Sequence, residues 1–192
     1  MPQVSRREFE RLPLRVHGFL SGVTLHDVWA IDLPHFRAGI TLDEFFRATE
    51  DQPFTPSPVV RAMLGARLFV GRILGWDREP VATERESFAD RLTTEDRARS
   101  LAAPGTPDGM FHVLYRFENE ELLEIANRTA HAAALTALIE DAETYRYYFA
   151  VYVRSVSRLT PLYMAAIDPF RKTIVYPSLL RSVRRNWTRA FG

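Results

Sequence analysis

TYRYYFAVYVRSVSRLTPLYMAAIDPFRKTIVYPSLLRSVRRNW, residues 144–187, decides how this chain is arranged. Its first part alternates. Tyr145, Tyr147, Phe149, Val151 and Val153 share one face and Arg146, Tyr148, Tyr152 and Arg154 the other, the period of a long strand over 144–157. After Arg158-Leu159-Thr160 the period changes. Thr160-Pro161 pairs a side-chain cap with a residue whose missing amide costs nothing at the first helical position. Leu159, Leu162, Tyr163, Ala166, Ile167, Phe170 and Ile174 then recur at three- and four-residue spacing. Pro169 predicts a kink and Pro177 a break, giving helical pieces over 160–176 and 178–189. A long strand feeding a long terminal helix implies a curved sheet holding a helix, with an apolar space between them.

Upstream, residues 1–22 read as an N-terminal arm punctuated by Pro13, Gly18 and Gly22. Leu25, Trp29, Ile31 and Leu33 alternate with His26, Ala30 and Asp32, a half-buried strand over 24–33 that ends at Pro34. Thr41 and Glu44 form a capping box for a short helix over 42–50, and Ser57-Pro58 starts a second, over 58–74. A strand is expected within 81–91 and a short helix over 94–102, capped at Thr93 or Thr94. From Met110 the period is two again. Phe111, Val113, Tyr115 and Phe117 face one way and His112, Leu114 and Arg116 the other; Glu118–Glu121 is a turn, and strands follow over 122–127 and 131–140. Short polar turns between these runs make an antiparallel meander the simplest topology. The expected class is α+β, in the order strand, two helices, meander, C-terminal helix, as a single domain over 1–192. That order resembles the helix-grip fold of the START and Bet v 1-like superfamily.

Composition narrows the function classes. The 192 residues are 46% hydrophobic and 26% charged, an ordinary globular profile, and the lack of cysteine removes disulfides and thiolate chemistry. The first twenty residues mix acids and bases without the apolar run of a signal peptide, and no stretch approaches the length of a bilayer span, so a cytoplasmic location is expected. Charge is unevenly spread: no acid follows Asp168, whereas Arg171, Lys172, Arg181, Arg184, Arg185 and Arg189 do. The acidic body and the absence of a known motif argue against nucleic acid as a partner.

Candidate chemistry is sparse. The five histidines show no metal-ligand spacing, and no Gly-rich loop or serine elbow is present, so no metal or cofactor is expected. His26 and Asp27, adjacent in a strand, are expected to point apart. Glu118, Glu120, Glu121 and Glu124 read as a solvated hairpin tip. Trp29, Phe111, Tyr115, Phe117, Tyr145, Tyr147, Phe149 and Tyr163 are candidates to line an apolar pocket with hydroxyl handles. His112, His131 and Asp168 are candidate acid–base groups should the pocket be catalytic. Arg181, Arg184, Arg185, Trp187 and Arg189, on an amphipathic helix over 178–192, are a candidate surface for an anionic membrane or a partner protein.

HDVWAIDLP (26–34), GMFHVLYRFENEELLEI (109–125) and YRYYFAVYVRSVSRLTPLYMAAIDPFRKTIVYPSLLR (145–181) together resemble a bacterial family of unknown function. Its members occur alone or at the C-terminus of short-chain dehydrogenase-like proteins. The resemblance implies no catalytic residue. Three functions remain open: noncatalytic binding of a lipid or polyketide-like metabolite between sheet and helix, a cyclase or dehydratase using the same space, and a membrane-surface or interaction module.

Overall fold

A computed structural model describes residues 3–50, 58, 65, 87–126, 131–156 and 159–192. Six antiparallel strands form one sheet: β1 (Thr24–Pro34), β2 (Pro107–Asp108), β3 (Phe111–Arg116), β4 (Glu120–Ala126), β5 (His131–Glu140) and β6 (Thr144–Arg154). Their spatial order is β1-β6-β5-β4-β3-β2, so β6 lies between the first strand and the meander. The alternating pattern of β6 holds along its length, with each face of the sheet building one core. β2 was not expected; it pairs with the start of β3 across a turn where Gly109 takes a positive φ of 60°.

The helical run from 159 to 191 closes one face. It comprises an α-helix (Leu159–Phe170), a π turn (Arg171–Val175) and a final α-helix (Tyr176–Phe191). The expected break at Pro177 is absent. Pro177 falls in the first turn of the final helix, where its missing amide is tolerated, and the irregularity is taken up by the π turn just before it. Tyr176, Leu180, Val183 and Trp187 pack onto Trp29, Ile31 and Leu33 of β1 and Tyr145 and Tyr147 of β6, with Phe45 and Phe46 of a short helix, Leu42–Ala48, completing this core. Trp187 is fully buried, its Nε1 donates to the Pro34 carbonyl at 2.9 Å, and its ring meets Phe45, Tyr145 and Phe191. It is a core anchor and not part of an exposed surface. The apolar side of the last helix is therefore already occupied.

The other face is covered by the N-terminal segment, which is not a loose arm. Helical turns at Arg6–Phe9 and Val16–Phe19 bury Phe9, Val16 and Phe19 against Tyr148, Ala150 and Tyr152 of β6. Long-range bonds explain why this is invisible locally. The Glu120 carboxylate accepts from the amides of Arg15 at 2.7 Å and Val16 at 2.8 Å, and from the Tyr115 hydroxyl. Glu124 accepts from Ser87 Oγ at 2.6 Å and the Phe88 amide at 2.8 Å, and lies 2.5 Å from His131 Nε2. Glu121 pairs with Arg116 at 2.7 Å. Three of the four acids expected at a solvated hairpin tip are thus buried: Glu120 and Glu124 accept from distant segments, and Glu121 pairs with Arg116 across the hairpin. Phe88–Arg91 is a 3-10 turn capped by Ser87, not strand. The remainder of the strand expected within 81–91, and the helix over 58–74 apart from Pro58 and Gly65, lie outside the described residues.

Other local expectations are met or corrected at single residues. Thr93 and Asp96 form a full capping box for the helix Thr94–Arg99. Thr41 caps Leu42–Ala48, but the Glu44 carboxylate turns to Arg37 instead of completing a box. A register shift at Leu114 in β3 brings it to the same core as Tyr115 and Phe117, overriding simple alternation.

Candidate functional site

The site grows out of a second register shift. Leu25 pairs with Tyr152 and Asp27 with Val151, so His26 is the extra residue of a bulge in β1. Two consequences follow. Leu25 passes to the N-terminal core, away from Trp29, Ile31 and Leu33. His26 and Asp27, expected to point apart, converge on the start of the π turn. His26 Nε2 lies 2.9 and 3.0 Å from the two oxygens of Asp168 and 3.8 Å from Asp27 Oδ2. Asp168 also pairs with Arg171 at 3.0 Å and Lys172 at 2.9 Å, and Arg171 donates to the Tyr176 hydroxyl.

Asp27 is the anomaly. It is 3% exposed, and neither carboxylate oxygen has a hydrogen-bond partner; Arg171 Nη2 approaches only to 3.5 Å. Burial pushes its carboxyl above the usual carboxylate range, against the opposing pull of Arg171 and His26. Asp168 goes the other way: burial would raise it, but the bonds from His26 and Lys172 and the charge of Arg171 prevail and hold it low. Two acids that share one neighbour are driven apart.

His26, Asp27 and Asp168 place three ligand-type atoms within 4.8 Å of one another. Arg171 and Lys172 already neutralise Asp168, and a divalent cation would have to displace them; the set fits an ion-pair network better than a metal site.

Asp27 lies on the sheet face that meets the terminal helix. In pairing register, Asp27, Val151 and Ala134 form one row, Trp29, Phe149 and Thr136 the next, and Ile31, Tyr147 and Leu138 the third. Phe149, at the middle of these rows, is only half-buried, and the Tyr176 ring stands over both Phe149 (5.3 Å) and Trp29 (5.6 Å). Around it, Trp29 Nε1, Thr136 Oγ1 and Tyr147 OH are buried without hydrogen bonds, like Asp27. Thr136 faces the Tyr147 hydroxyl but does not reach bonding geometry, and burial drives the Tyr147 phenol upward.

The expected pocket residues therefore divide. Trp29, Tyr145, Tyr147 and Phe149 share the helix face, with the Tyr145 hydroxyl tied to Arg37 and Ile40. Tyr115 and Phe117 stack on each other at 4.5 Å in the opposite core, and Phe111 is half-buried beside β2. The side chain of Tyr163 lies outside the described residues. Of the expected acid–base groups only Asp168 belongs to the cluster. His112 is exposed on β3, and His131 is stacked under Phe88 on the far face, bonded to Glu124. Sequence reading sets His26 and Asp27 aside as pointing apart, counts Arg171 and Lys172 within the basic C-terminal charge, and passes over Tyr176. One local signal existed: Asp27 has the same parity as Trp29, Ile31 and Leu33, an acid on the inward face of a strand.

Among the described residues no helix is long and apolar enough to cross a membrane. No curated protein and no solved structure matches the chain. The model of a family described as protein of unknown function, DUF2867, matches residues 19–178, a span that holds every member of the polar cluster, and the chain belongs to that family.

Proposed function

We propose that the protein is a noncatalytic binder of a small amphipathic molecule, of lipid or polyketide-like class, held on the helix face of the sheet around Phe149. The observation that supports this most is the ring of unsatisfied buried polar atoms about a half-buried aromatic: Asp27, Trp29 Nε1, Thr136 and Tyr147. Buried polar groups without partners are rare in a finished core, and this arrangement of an apolar floor with a few polar handles is what a ligand site requires. Ala134 pairs with Val151 in the row next to Phe149, and its methyl is the smallest side chain near that ring on this face. The arrangement of sheet and terminal helix, similar to START and Bet v 1-like helix-grip folds, agrees with this reading. A cysteine-free chain suits a bacterial cytoplasm.

The test is native mass spectrometry of freshly purified protein, together with titration by the amphipathic dye 1-anilinonaphthalene-8-sulfonate. The expected result is a co-purifying small molecule or dye binding at one site, lost in Ala134→Phe, whose bulkier side chain competes for the proposed site; thermal denaturation confirms that the variant folds. Absence of both bound mass and dye binding in the wild-type protein refutes the reading, as does unchanged dye binding in a folded Ala134→Phe.

A second reading, general acid–base chemistry on the bound molecule, is favoured by the opposed shifts of Asp27 and Asp168 about His26. On that reading the acid is Asp27, His26 and Asp168 act as a pair, and His112 and His131 take no part.

A further inference from the structure

The outer side of the final helix carries a second, separate feature. Arg181, Arg184, Arg185 and Arg189 fall on one side of the helix over two turns, opposite the buried Leu180, Val183 and Trp187. With Thr188 and the edge of Ile31 in β1 they line an open groove of about 650 Å³. All four arginines are exposed, and among the described residues none has a carboxylate within ion-pair distance. Elsewhere the fold neutralises its arginines readily: Arg15 with Asp96, Arg37 with Glu44, Arg116 with Glu121 and Arg171 with Asp168.

We propose that this groove binds a phosphate-bearing anion. Guanidinium groups present planar pairs of donors that match phosphate oxygens two at a time. Four of them around one groove repel each other until an anion neutralises them. The Thr188 hydroxyl supplies a further donor, and Ile31 with the arginine stems gives an apolar wall, so the site takes a phosphate attached to an apolar body. A helix lying on a membrane by its apolar side is a different arrangement. Here that side is spent on the sheet, and recognition is electrostatic and confined to the groove. The proposal stands on different residues from the Phe149 site and does not depend on it.

The test uses the full chain and two probes of the same chemistry. Inorganic pyrophosphate is titrated against thermal stability, with sodium chloride at matched ionic strength as the control. Sedimentation with vesicles of phosphatidylcholine alone, or with phosphatidic acid added, separates a membrane headgroup from a soluble phosphate compound. The expected result is a melting-temperature rise with pyrophosphate beyond the chloride control, and binding weaker by about tenfold or more in Arg184→Gln/Arg185→Gln. Vesicle binding dependent on phosphatidic acid identifies a lipid source, and pyrophosphate binding alone a soluble one. Equal effects of pyrophosphate and chloride without lipid-dependent sedimentation overturn the proposal, as does unchanged binding in the double variant. Because the variant surface is exposed, its folding is checked by an unchanged urea midpoint in phosphate-free buffer.

Discussion

Replacing Asp27 by Asn should stabilise the ligand-free protein, an unusual outcome for a fully buried position. The Asp27 side chain is wholly shut off from solvent, has no hydrogen bond, and lies 3.5 Å from the Arg171 guanidinium and 3.8 Å from His26 Nε2. Its raised pKa states that desolvation outweighs those attractions. An unpaired amide at this place is costly too, but the ionised carboxylate costs more because burial penalises charge, and the partial compensation from Arg171 leaves an excess of about 1 kcal/mol. Asn keeps the shape and removes the charge. Arg171 is not orphaned, since it retains Asp168 at 3.0 Å and the Tyr176 hydroxyl. The expected gain is about 1 kcal/mol at pH 7, or a rise in Tm of about 2–4 °C for a chain of this size. The sign with pH follows from linkage. A carboxyl whose folded pKa is raised binds its proton more tightly in the folded state, so the wild-type protein loses relative stability as pH rises through that pKa. The advantage of Asp27→Asn is therefore smallest at about pH 3 and below, where Asp27 is protonated in both states, and grows as pH rises toward neutrality. The assay is urea denaturation of both proteins, stripped of any bound molecule by unfolding and refolding, from pH 4 to pH 8. A variant less stable than wild type by more than about 1 kcal/mol at pH 7, or a difference that ignores pH, would mean the carboxylate is a well-paired structural charge. The case for a group held ready for a ligand would then fail.

Two further outcomes test the frame around the site. Trp187→Ala should cost about 3–5 kcal/mol, the range for emptying a large core site, read from urea denaturation; a loss under about 0.5 kcal/mol would indicate a surface position. Asp96, held down to about 2 by the two-pronged Arg15 bond at 2.8 Å and by Thr93, lends stability that is complete above its ordinary pKa and lost as pH falls through about 2. After allowance for solvent around Arg15, Asp96→Asn should remove about 1–2 kcal/mol at pH 7 and make acid unfolding between pH 4 and pH 2 less steep; an acid limb identical to wild type would count against it.

What the sequence determined by itself was everything carried by short-range periodicity. Alternation over 144–154 specifies a strand whatever it pairs with, and a threonine followed by an acidic first turn, as at Thr93–Asp96, starts a helix without outside help; the Thr160-Pro161 pair expected to cap the next helix lies instead inside it, after its start at Leu159. The antiparallel meander, the C-terminal helix and the two-faced character of β6 followed from that. What only the tertiary structure decided was every feature that depends on a partner far along the chain. A bulge is set by register against another strand, so nothing in Leu25-His26-Asp27-Val28 alone announces that His26 will turn to Asp168, 142 positions away. Glu120 and Glu124 look like solvent-facing charges because their donors, the Arg15 and Val16 amides and the Phe88 amide, belong to other segments. Trp187 and the arginines beside it have the same amphipathic pattern whether the apolar side meets a membrane or a sheet. The choice is made by Pro34, Phe45 and Tyr145, which the fold brings up against the indole, and it leaves the arginines as the side still open to a partner.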